Sequence, residues 1–215
     1  MRAEADNTLI CFAVAEEARP FQRRAAGLPG VRVLVTGMGR QNAEAALGAW
    51  LAHAQPAQVL GCGFAGALDV ALEVGQVLFE TEVPSGLRAM LLSAGARKAR
   101  FWCADRVAVT PEEKRALRKS TGADAVEMES AALRALCANR GIPFATVRVI
   151  SDAAEDALPL DFNLLMTPDG QLSYGKLAGA LACKPMTVLA LWQWHKRLRG
   201  AASALADVLM RVIST

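Results

Sequence analysis

Continuous apolar runs alternate with segments of helical composition along most of this 215-residue chain. The first run, 9–14, has no polar side chain apart from a cysteine, and the last, 143–150, is rich in β-branched residues. Such runs are typical of strands that helices bury on both faces. The alternation predicts an α/β fold of three layers, with a mostly parallel mixed central sheet flanked by helices.

Local patterns place the individual elements. The strands are predicted at 9–14, 31–35, 57–60, 75–80, 101–103, 107–109, 124–126 and 143–150. The helices are predicted at about 16–26 and 41–54, from an N-cap at Thr110 onwards, and from 126 to about 140. The glycine-rich segment 61–66 is predicted to be a turn, and 82–100 has no clean period. After the last strand, and chiefly from about residue 160, the chain is predicted to be helical, with a break at Lys184 and Pro185.

The whole chain, 1–215, is expected to form a single domain, because it has no internal repeat and no long linker. The hydrophobic content is 53% and the mean hydropathy is +0.24, which raises the question of a membrane protein. No stretch reaches the roughly 18 uninterrupted apolar residues of a spanning helix. The first seven residues are polar and mixed in charge, unlike a signal peptide. The expected location is therefore the cytoplasm.

Charge and cysteine spacing exclude several classes of function. The net charge of +3 is scattered, so no basic patch for nucleic acid is expected. The number of cysteines is odd and none lies close to another or to a histidine, so neither a metal site nor a disulfide framework is predicted. Reduced thiols are the expected state. These cysteines are Cys11, Cys62, Cys103, Cys137 and Cys183.

The basic run 195–199 is interpreted as a solvated helix face. In the same C-terminal stretch, Leu189, Trp192 and Leu205 would form a helix face in the core or in a subunit interface. An amphipathic surface in contact with a membrane is the alternative hypothesis.

Acidic residues follow three predicted strands directly. They are Glu16 and Glu17 after the first strand, Glu127 and Glu129 after the seventh, and Asp152 beside Ser151 after the last. Each group has a plain structural interpretation, as first-turn acids or as an N-cap that stabilises a helix N-terminus. However, open α/β sheets bind ligands at the carboxyl ends of their strands. Three acidic strand ends together indicate a site that handles hydroxyl groups or protons.

Gly61, Gly63 and Gly66 reproduce the G-x-G-x-x-G spacing of dinucleotide-binding turns. The motif follows the third predicted strand rather than the first, and the segment before the next strand is too short for a full crossover helix. Nicotinamide and flavin binding are therefore not predicted.

In order and spacing, these segments resemble the nucleoside phosphorylase and nucleosidase superfamily, which includes purine nucleoside phosphorylases and methylthioadenosine/adenosylhomocysteine nucleosidases. The matching segments are 13–17, 36–43, 63–68, 74–77, 125–132 and 148–152. The most specific are the Met-Glu-x-x-Ala motif at 128–132 and the Ile-Ser-Asp motif at 150–152. The C-terminal pattern is similar to that of the hopanoid-associated phosphorylase group.

The resemblance implies roles for individual residues. Asp152 matches the general acid that gives or shares a proton with purine N7, and Ser151 supports it. Glu129 matches the carboxylate that binds the ribose hydroxyls, and Met128 forms an apolar floor beside the sugar. Glu17 matches the acid that activates water, a catalytic role it has only in the nucleosidase branch.

The remaining substrate-binding candidates are Glu127, Gly63, Phe64 and Arg40. Phe64 departs from the family, because many members carry Ser or Thr there to bind phosphate or the nucleophile. Arg40 lies where a phosphate contact is possible, but the arginines of the hexameric phosphorylases have no clear counterparts. Either phosphate or water therefore remains open as the nucleophile. The wall that stacks on the base is assigned to one of three residues, Phe101, Trp102 or Val107.

The predicted function is cleavage of the N-glycosidic bond of a purine nucleoside, with adenine favoured because an aspartate faces the base. A 5′-substituted adenosine is included, because the chain is short between about 80 and 101, where relatives cover the substrate. No cofactor is expected, and inorganic phosphate is a possible co-substrate. The alternative is a degenerate member that binds nucleosides without turnover. Relatives associate, so a homo-oligomer is expected.

Overall fold

A computed structural model describes residues 7–82, 86–165, 167, 175–176 and 187–214. Within them lie eight strands and seven helices. The strands are β1 (Thr8–Phe12), β2 (Val31–Val35), β3 (Gln58–Ala67), β4 (Val77–Thr81), β5 (Arg97–Lys98), β6 (Phe101–Cys103), β7 (Ala125–Glu127) and β8 (Phe144–Asp152). The helices are α1 (Ala15–Arg24), α2 (Arg40–Leu51), α3 (Gly86–Ser93), α4 (Pro111–Thr121), α5 (Ser130–Ala138), α6 (Phe162–Leu165) and α7 (Thr187–Ile213).

The strands form one mixed sheet in the order β2-β1-β3-β8-β4-β5, and β7 joins β3 to β6. Most neighbouring strands are parallel; the β3–β7 and β4–β8 pairs are antiparallel. One apolar cluster packs α1, α3 and α7 against the sheet, and a second packs α2 and α5 against it. The predicted fold class, a mostly parallel mixed sheet flanked by helices, is confirmed.

The glycine-rich segment 61–66 is not a turn, as predicted, but the second half of the long strand β3. Glycine is required here because side chains of neighbouring elements pack closely against the strand, not because the chain turns. A Cβ on Gly61 would lie 2.9 Å from the Phe144 ring, and one on Gly66 would lie 3.1 Å from Asp152 Oδ2. The absence of side chains here lets larger groups cross the face of β3.

Two other predictions were wrong, and one region that was left unassigned contains regular elements. The region 82–100, for which no element was predicted, contains α3 and β5, whereas 107–109 lies outside any strand. The stretch 153–161 is not helical, although helix was predicted after the last strand. Cys183 and the predicted break at Lys184 and Pro185 lie outside the described residues.

Two helices agree closely with the sequence pattern. In α4, the Thr110 hydroxyl accepts from the Glu113 N–H, and the Glu113 carboxylate accepts from the Thr110 N–H, which is a capping box. In α7 the basic residues at 195–197 and 199 are exposed, as expected of a solvated face.

The predicted common surface of Leu189, Trp192 and Leu205 is not formed. Leu189 and Trp192 are exposed, whereas Leu205 is buried in the cluster beneath α1 and α3. Of the helices in the described part of the chain, none has the length and apolarity that a membrane crossing requires.

Candidate active site

The acidic strand ends lie together at one edge of the sheet. Strands β1, β3 and β8 are parallel neighbours, so their carboxyl ends share this edge. Strand β7 runs antiparallel to β3, which brings the residues after it back alongside β3. The four acidic residues predicted for the site lie here and are buried: Glu17, Glu127, Glu129 and Asp152.

Glu17 lies in the first turn of α1, directly after β1. Its Oε2 accepts from the backbone N–H groups of Ala13 and Val14, at 3.1 and 3.2 Å. Its Oε1 accepts from the Phe64 N–H at 2.8 Å. The plain interpretation as a helix-capping acid is therefore correct, but the same carboxylate also connects the ends of β1 and β3. The neighbouring Glu16 is exposed and pairs only with Arg19, at 3.5 Å.

Arg148 of β8 connects the acidic groups. Arg148 is 1% exposed, and its Nη2 donates to Glu127 Oε2 at 2.6 Å and to Glu129 Oε2 at 3.1 Å. Gly63 lies opposite Arg148 in the β3–β8 register. A Cβ on Gly63 would lie 2.6 Å from Arg148 Nη1 and 2.8 Å from Glu17 Oε1. We call Arg148, Glu17, Glu127 and Glu129 the arginine cluster.

The two glutamates at the carboxyl end of β7, Glu127 and Glu129, have different surroundings. Glu127 accepts from the backbone N–H groups of Glu129 and Ser130, at 3.0 and 2.8 Å, and from the Ser130 hydroxyl at 2.6 Å. Its carboxylate therefore caps α5, as the plain interpretation predicts. Glu129 instead reaches back towards α2, where its Oε1 accepts from the Gly39 N–H at 2.9 Å. Glu127 is thus fully engaged by the protein, whereas Glu129 has acceptor capacity left.

One guanidinium does not neutralise three buried carboxylates, and the pKa values reflect this. Burial raises the pKa of Glu17 to about 7; Arg148 opposes the rise and Glu129 adds to it. Burial and the neighbouring Glu127 also raise the pKa of Glu129, against the effect of Arg148. For Glu127, the guanidinium and the Ser130 hydrogen bond outweigh burial, so its pKa is lowered. Burial lowers the pKa of Arg148, but the neighbouring carboxylates raise it by more, so the pKa is raised overall.

Asp152 ends β8 and has a cation of its own. Its Oδ1 accepts from the Ser151 hydroxyl at 2.5 Å, and its Oδ2 from Lys114 Nζ at 2.5 Å. The β3–β8 register shifts between Ala65 and Gly66, so Gly66 faces Asp152 rather than Ser151. Such bulges re-aim side chains next to functional sites. The alternative interpretation of Asp152 as an N-cap is wrong, because no helix begins there. We call Lys114 and Asp152 the lysine–aspartate pair.

The other predicted residues lie around this edge. Phe64 contributes its backbone N–H to Glu17, while its partly buried ring packs against the cluster beneath α1 and α7. Met128 is half-buried between the two glutamates in sequence. The Arg40 side chain is half-exposed and pairs with Asp105 at 3.6 Å, so it is not brought into the arginine cluster.

Of the three candidates for the base-stacking wall, the structure disfavours Phe101, because its side chain packs into the core. Phe101 packs against a core cluster that includes Leu78 and Ile150. Trp102 is the next residue of β6 and is 44% exposed. Val107 is half-buried, and its backbone is held by the Asn163 side chain through bonds of 2.8 and 3.0 Å.

Sequence reasoning missed both cations of the site. Arg148 carries a visible signal, because an arginine inside an otherwise apolar, two-sided strand must be paired where it is buried. Lys114 carries none, since it lies in a helix rich in charged residues and looks like any solvated lysine. It is nevertheless the buried side chain of α4, with no exposed surface.

Comparisons with known proteins agree with this geometry. Residues 96–170, which contain β6, β7, β8 and most of the site, match the family model of the Phosphorylase superfamily. Over these residues, the resemblance to that superfamily is confirmed. Among solved structures, the fold is similar to that of a futalosine hydrolase of Helicobacter pylori, with a TM-score of 0.72, 16% identity and 98% of each chain covered.

Similar folds also occur in two nucleosidases. The 5′-methylthioadenosine/S-adenosylhomocysteine nucleosidase of Helicobacter pylori matches with a TM-score of 0.72 and 17% identity, over 97% of this chain and 98% of that one. The corresponding enzyme of Colwellia psychrerythraea, solved with adenine, matches with a TM-score of 0.72 and 17% identity, over 100% and 97%.

Within this fold, the site has the groups for proton transfer. It combines a buried carboxyl that titrates near neutral pH with a second carboxyl held by a hydroxyl and an ammonium group. Groups of three side chains placed to hold a metal ion do not occur in the described ranges.

Proposed function

We propose that this protein cleaves the N-glycosidic bond of an adenosine-type nucleoside, with water as the nucleophile. The observation that carries the proposal is the position of Glu17, a buried carboxyl whose pKa is about 7, beside Arg148 and Glu129. A general base works best when its pKa lies near the operating pH. The fold similarity to nucleosidases supports the proposal.

In the proposed reaction, the bond between C1′ of the ribose and N9 of the purine breaks, and a bond forms between C1′ and the water oxygen. Ionised Glu17 takes the proton of the attacking water. Asp152, which pairs with Lys114 as a carboxylate in the resting protein, takes up a proton from solvent when the nucleoside binds and gives that proton to N7 of the departing base. The products are the free base and the free sugar, and the two carboxyl groups exchange their protons with solvent between turnovers.

Glu129 is proposed to bind the ribose hydroxyls. One oxygen accepts from Gly39 and the other from Arg148, and each retains a lone pair for a hydroxyl donor. Fixing the sugar in this way orients C1′ towards the water. The negative charge close by favours the oxocarbenium-like transition state.

Water is favoured over phosphate because of the charge balance at this edge. A phosphate dianion would have to approach Glu17 and its acidic neighbours. Three basic side chains at or near this edge are already engaged, Arg148 and Lys114 within the site and Arg40 with Asp105. Inorganic phosphate therefore remains only a possible co-substrate.

Adenine is the favoured base because a carboxyl group, Asp152, is available to act as a proton donor. The structures of similar fold include one solved with adenine and one described as a futalosine hydrolase. A 5′-substituted adenosine, including one with a long apolar group, stays within the proposal. Homo-oligomer formation is still a prediction, which analytical ultracentrifugation tests.

The test is an assay of free-base release from adenosine, methylthioadenosine and inosine, with and without phosphate. We expect adenine release whose rate does not depend on phosphate. For Glu17→Gln, we expect a loss of about 100-fold in kcat. We also expect loss of the wild-type fall in kcat/KM below pH of about 7, where Glu17 becomes protonated. The matched control is Glu16→Gln, which alters the exposed neighbouring acid.

Several results would count against the proposal. A rate that requires phosphate would replace hydrolysis by phosphorolysis. Binding of adenosine in calorimetry without any release of base would favour the degenerate nucleoside-binding protein. Equal losses in Glu17→Gln and Glu16→Gln would remove Glu17 from the mechanism.

A further inference from the structure

Lys114 has no exposed surface, although it lies in a helix whose other charged residues are at least partly exposed. A buried ammonium group is costly unless all of its donors are satisfied. Lys114 satisfies all three: Nζ donates to Asp152 Oδ2 at 2.5 Å, to the Ala153 carbonyl at 2.7 Å and to the Asp156 carbonyl at 2.9 Å. Its position is therefore fixed by three acceptors on one short segment.

These acceptors belong to the end of β8 and to the loop that follows it, whereas Lys114 belongs to α4. The lysine thus connects two elements that are far apart in sequence, and the connection ends on the Asp152 carboxylate. Asp152 Oδ1 accepts independently from the Ser151 hydroxyl at 2.5 Å, and the oxygen of that hydroxyl also lies 3.2 Å from the Ala65 carbonyl oxygen. Each carboxylate oxygen therefore has one fixed donor, so rotation of the Asp152 side chain would break both bonds.

We propose that Lys114 is a positioning residue for the departing base, acting through Asp152. This inference rests on the proposed function, since Asp152 is there the proton donor. When the O–H bond of Asp152 breaks and the N7–H bond of the base forms, a carboxylate is left behind. The Lys114 ammonium stabilises that developing charge at contact distance, in a buried setting where such stabilisation is strongest. The bond to Oδ2 also holds the carboxyl plane in one orientation.

The substitution that removes the ammonium but keeps the volume of the chain is Lys114→Met. A misplacement of a reacting group by about 1 Å costs about 100-fold, so we expect kcat to fall 10- to 100-fold while KM changes little. Lys114→Arg keeps the charge but not the three-acceptor geometry, and we expect an intermediate loss. The matched control is Lys119→Met on the exposed side of the same helix, with kcat within about twofold of wild type.

The decisive measurement combines Lys114→Met with Asp152→Asn. If Lys114 acts through Asp152, adding Lys114→Met to the Asp152→Asn protein changes kcat by no more than about twofold. If Lys114→Met lowers kcat by the same factor in the wild-type protein and in Asp152→Asn, the role of Lys114 is purely structural and the proposal is overturned. The double variant removes both buried charges together, so it is expected to fold even where Lys114→Met alone does not. In that case Lys114→Arg replaces Lys114→Met as the single variant whose kcat is compared with wild type.

Failure of the proposed function is distinguishable from failure of this inference. If the wild type releases no base, the affinity for adenine is measured by calorimetry in place of kcat. The four proteins compared are the wild type, Lys114→Met, Asp152→Asn and the double variant. The inference then requires at least about tenfold weaker binding in Lys114→Met, and no further weakening when Asp152→Asn is already present. Unchanged adenine affinity in Lys114→Met, or no adenine binding by any variant, overturns it.

Discussion

The arginine cluster and the lysine–aspartate pair lie at the same edge of the sheet but differ in charge balance. The cluster has three carboxylates for one guanidinium, whereas the pair has one carboxylate for one ammonium. Buried like charges cannot all be ionised at moderate cost, so the excess acids of the cluster have raised pKa values. The cluster is thus suited to take up a proton near neutral pH, and the pair to hold one carboxyl group in place.

The largest expected effect tests the pair. Asp152→Asn keeps the shape of the side chain but removes the proton donor and the partner of Lys114. General acid catalysis contributes about 100- to 10,000-fold, so we expect kcat to fall by about 1000-fold. Steady-state kinetics of adenine release measures it.

The control for this substitution is Asp207→Asn on α7, which alters an exposed aspartate that pairs with Arg24 at 3.0 Å. A loss of less than about tenfold in Asp152→Asn, together with lower stability, would contradict the catalytic assignment. It would make the lysine–aspartate pair a structural ion pair only.

The second effect tests the cluster through the pH dependence of stability. In the unfolded chain Glu17 ionises near 4.5, whereas in the folded protein it stays protonated up to about 7. Stability is therefore lost as pH rises from 4.5 and the loss is complete above about 7. The difference between 4.5 and about 7 corresponds to about 3 kcal/mol. Relative to wild type, Glu17→Gln should gain about that amount between pH 4.5 and 8.

Urea unfolding of both proteins across this pH range measures the gain. Using the difference between the two proteins removes the contribution of every other titrating group. In Glu16→Gln, where the altered acid is exposed, the difference from wild type should stay flat. A flat difference for Glu17→Gln as well would mean that Glu17 is ionised at neutral pH, as in an ordinary surface pair.

The arginine cluster was easier to anticipate from sequence than the pair. Acids that directly follow buried strands, such as Glu17 and Glu129, are visible because the strands themselves are visible as apolar runs. Arg148 was missed as a site residue, although its place inside such a run identifies it as buried. Lys114 gave no signal, because the contact with Asp152 joins elements 38 positions apart and depends on the packing of α4.

The fold, too, was predictable only where its sequence signals are local. The central strands and the capped helix α4 were predicted because their signals are local. The continuation of β3 through its glycines was not predicted, because a glycine-rich segment is typical of a turn. Only the structure shows which side chains pack over these glycines. Here the bulk of Phe144, Arg148 and Asp152, all from β8, determines those positions.

A third, smaller effect comes from one of those glycines. Gly66→Ala places a Cβ 3.1 Å from Asp152 Oδ2 and 3.4 Å from Val126 Cγ1, so the carboxylate must give way by a few tenths of an ångström. We expect kcat to fall about tenfold, less than for complete loss of the acid. Gly48→Ala in α2 is the control, because its Cβ meets nothing within 4 Å. It should raise stability by up to about 1 kcal/mol without changing kcat. Equal kcat values for both variants would show that the site tolerates movement of Asp152.

The smallest effect separates the stability of α4 from the action of Lys114. Thr110→Ala removes the hydroxyl that accepts from the Glu113 N–H at 3.2 Å, and loss of such a cap costs about 1 kcal/mol. Ser120→Ala near the other end of α4 should change stability by less than about 0.5 kcal/mol. Because Lys114 keeps its three acceptors in Thr110→Ala, kcat should stay within about twofold of wild type even though the protein unfolds at lower urea concentration. A tenfold loss of kcat would mean instead that the helix N-terminus, and not the three-acceptor contact, determines where the ammonium group lies.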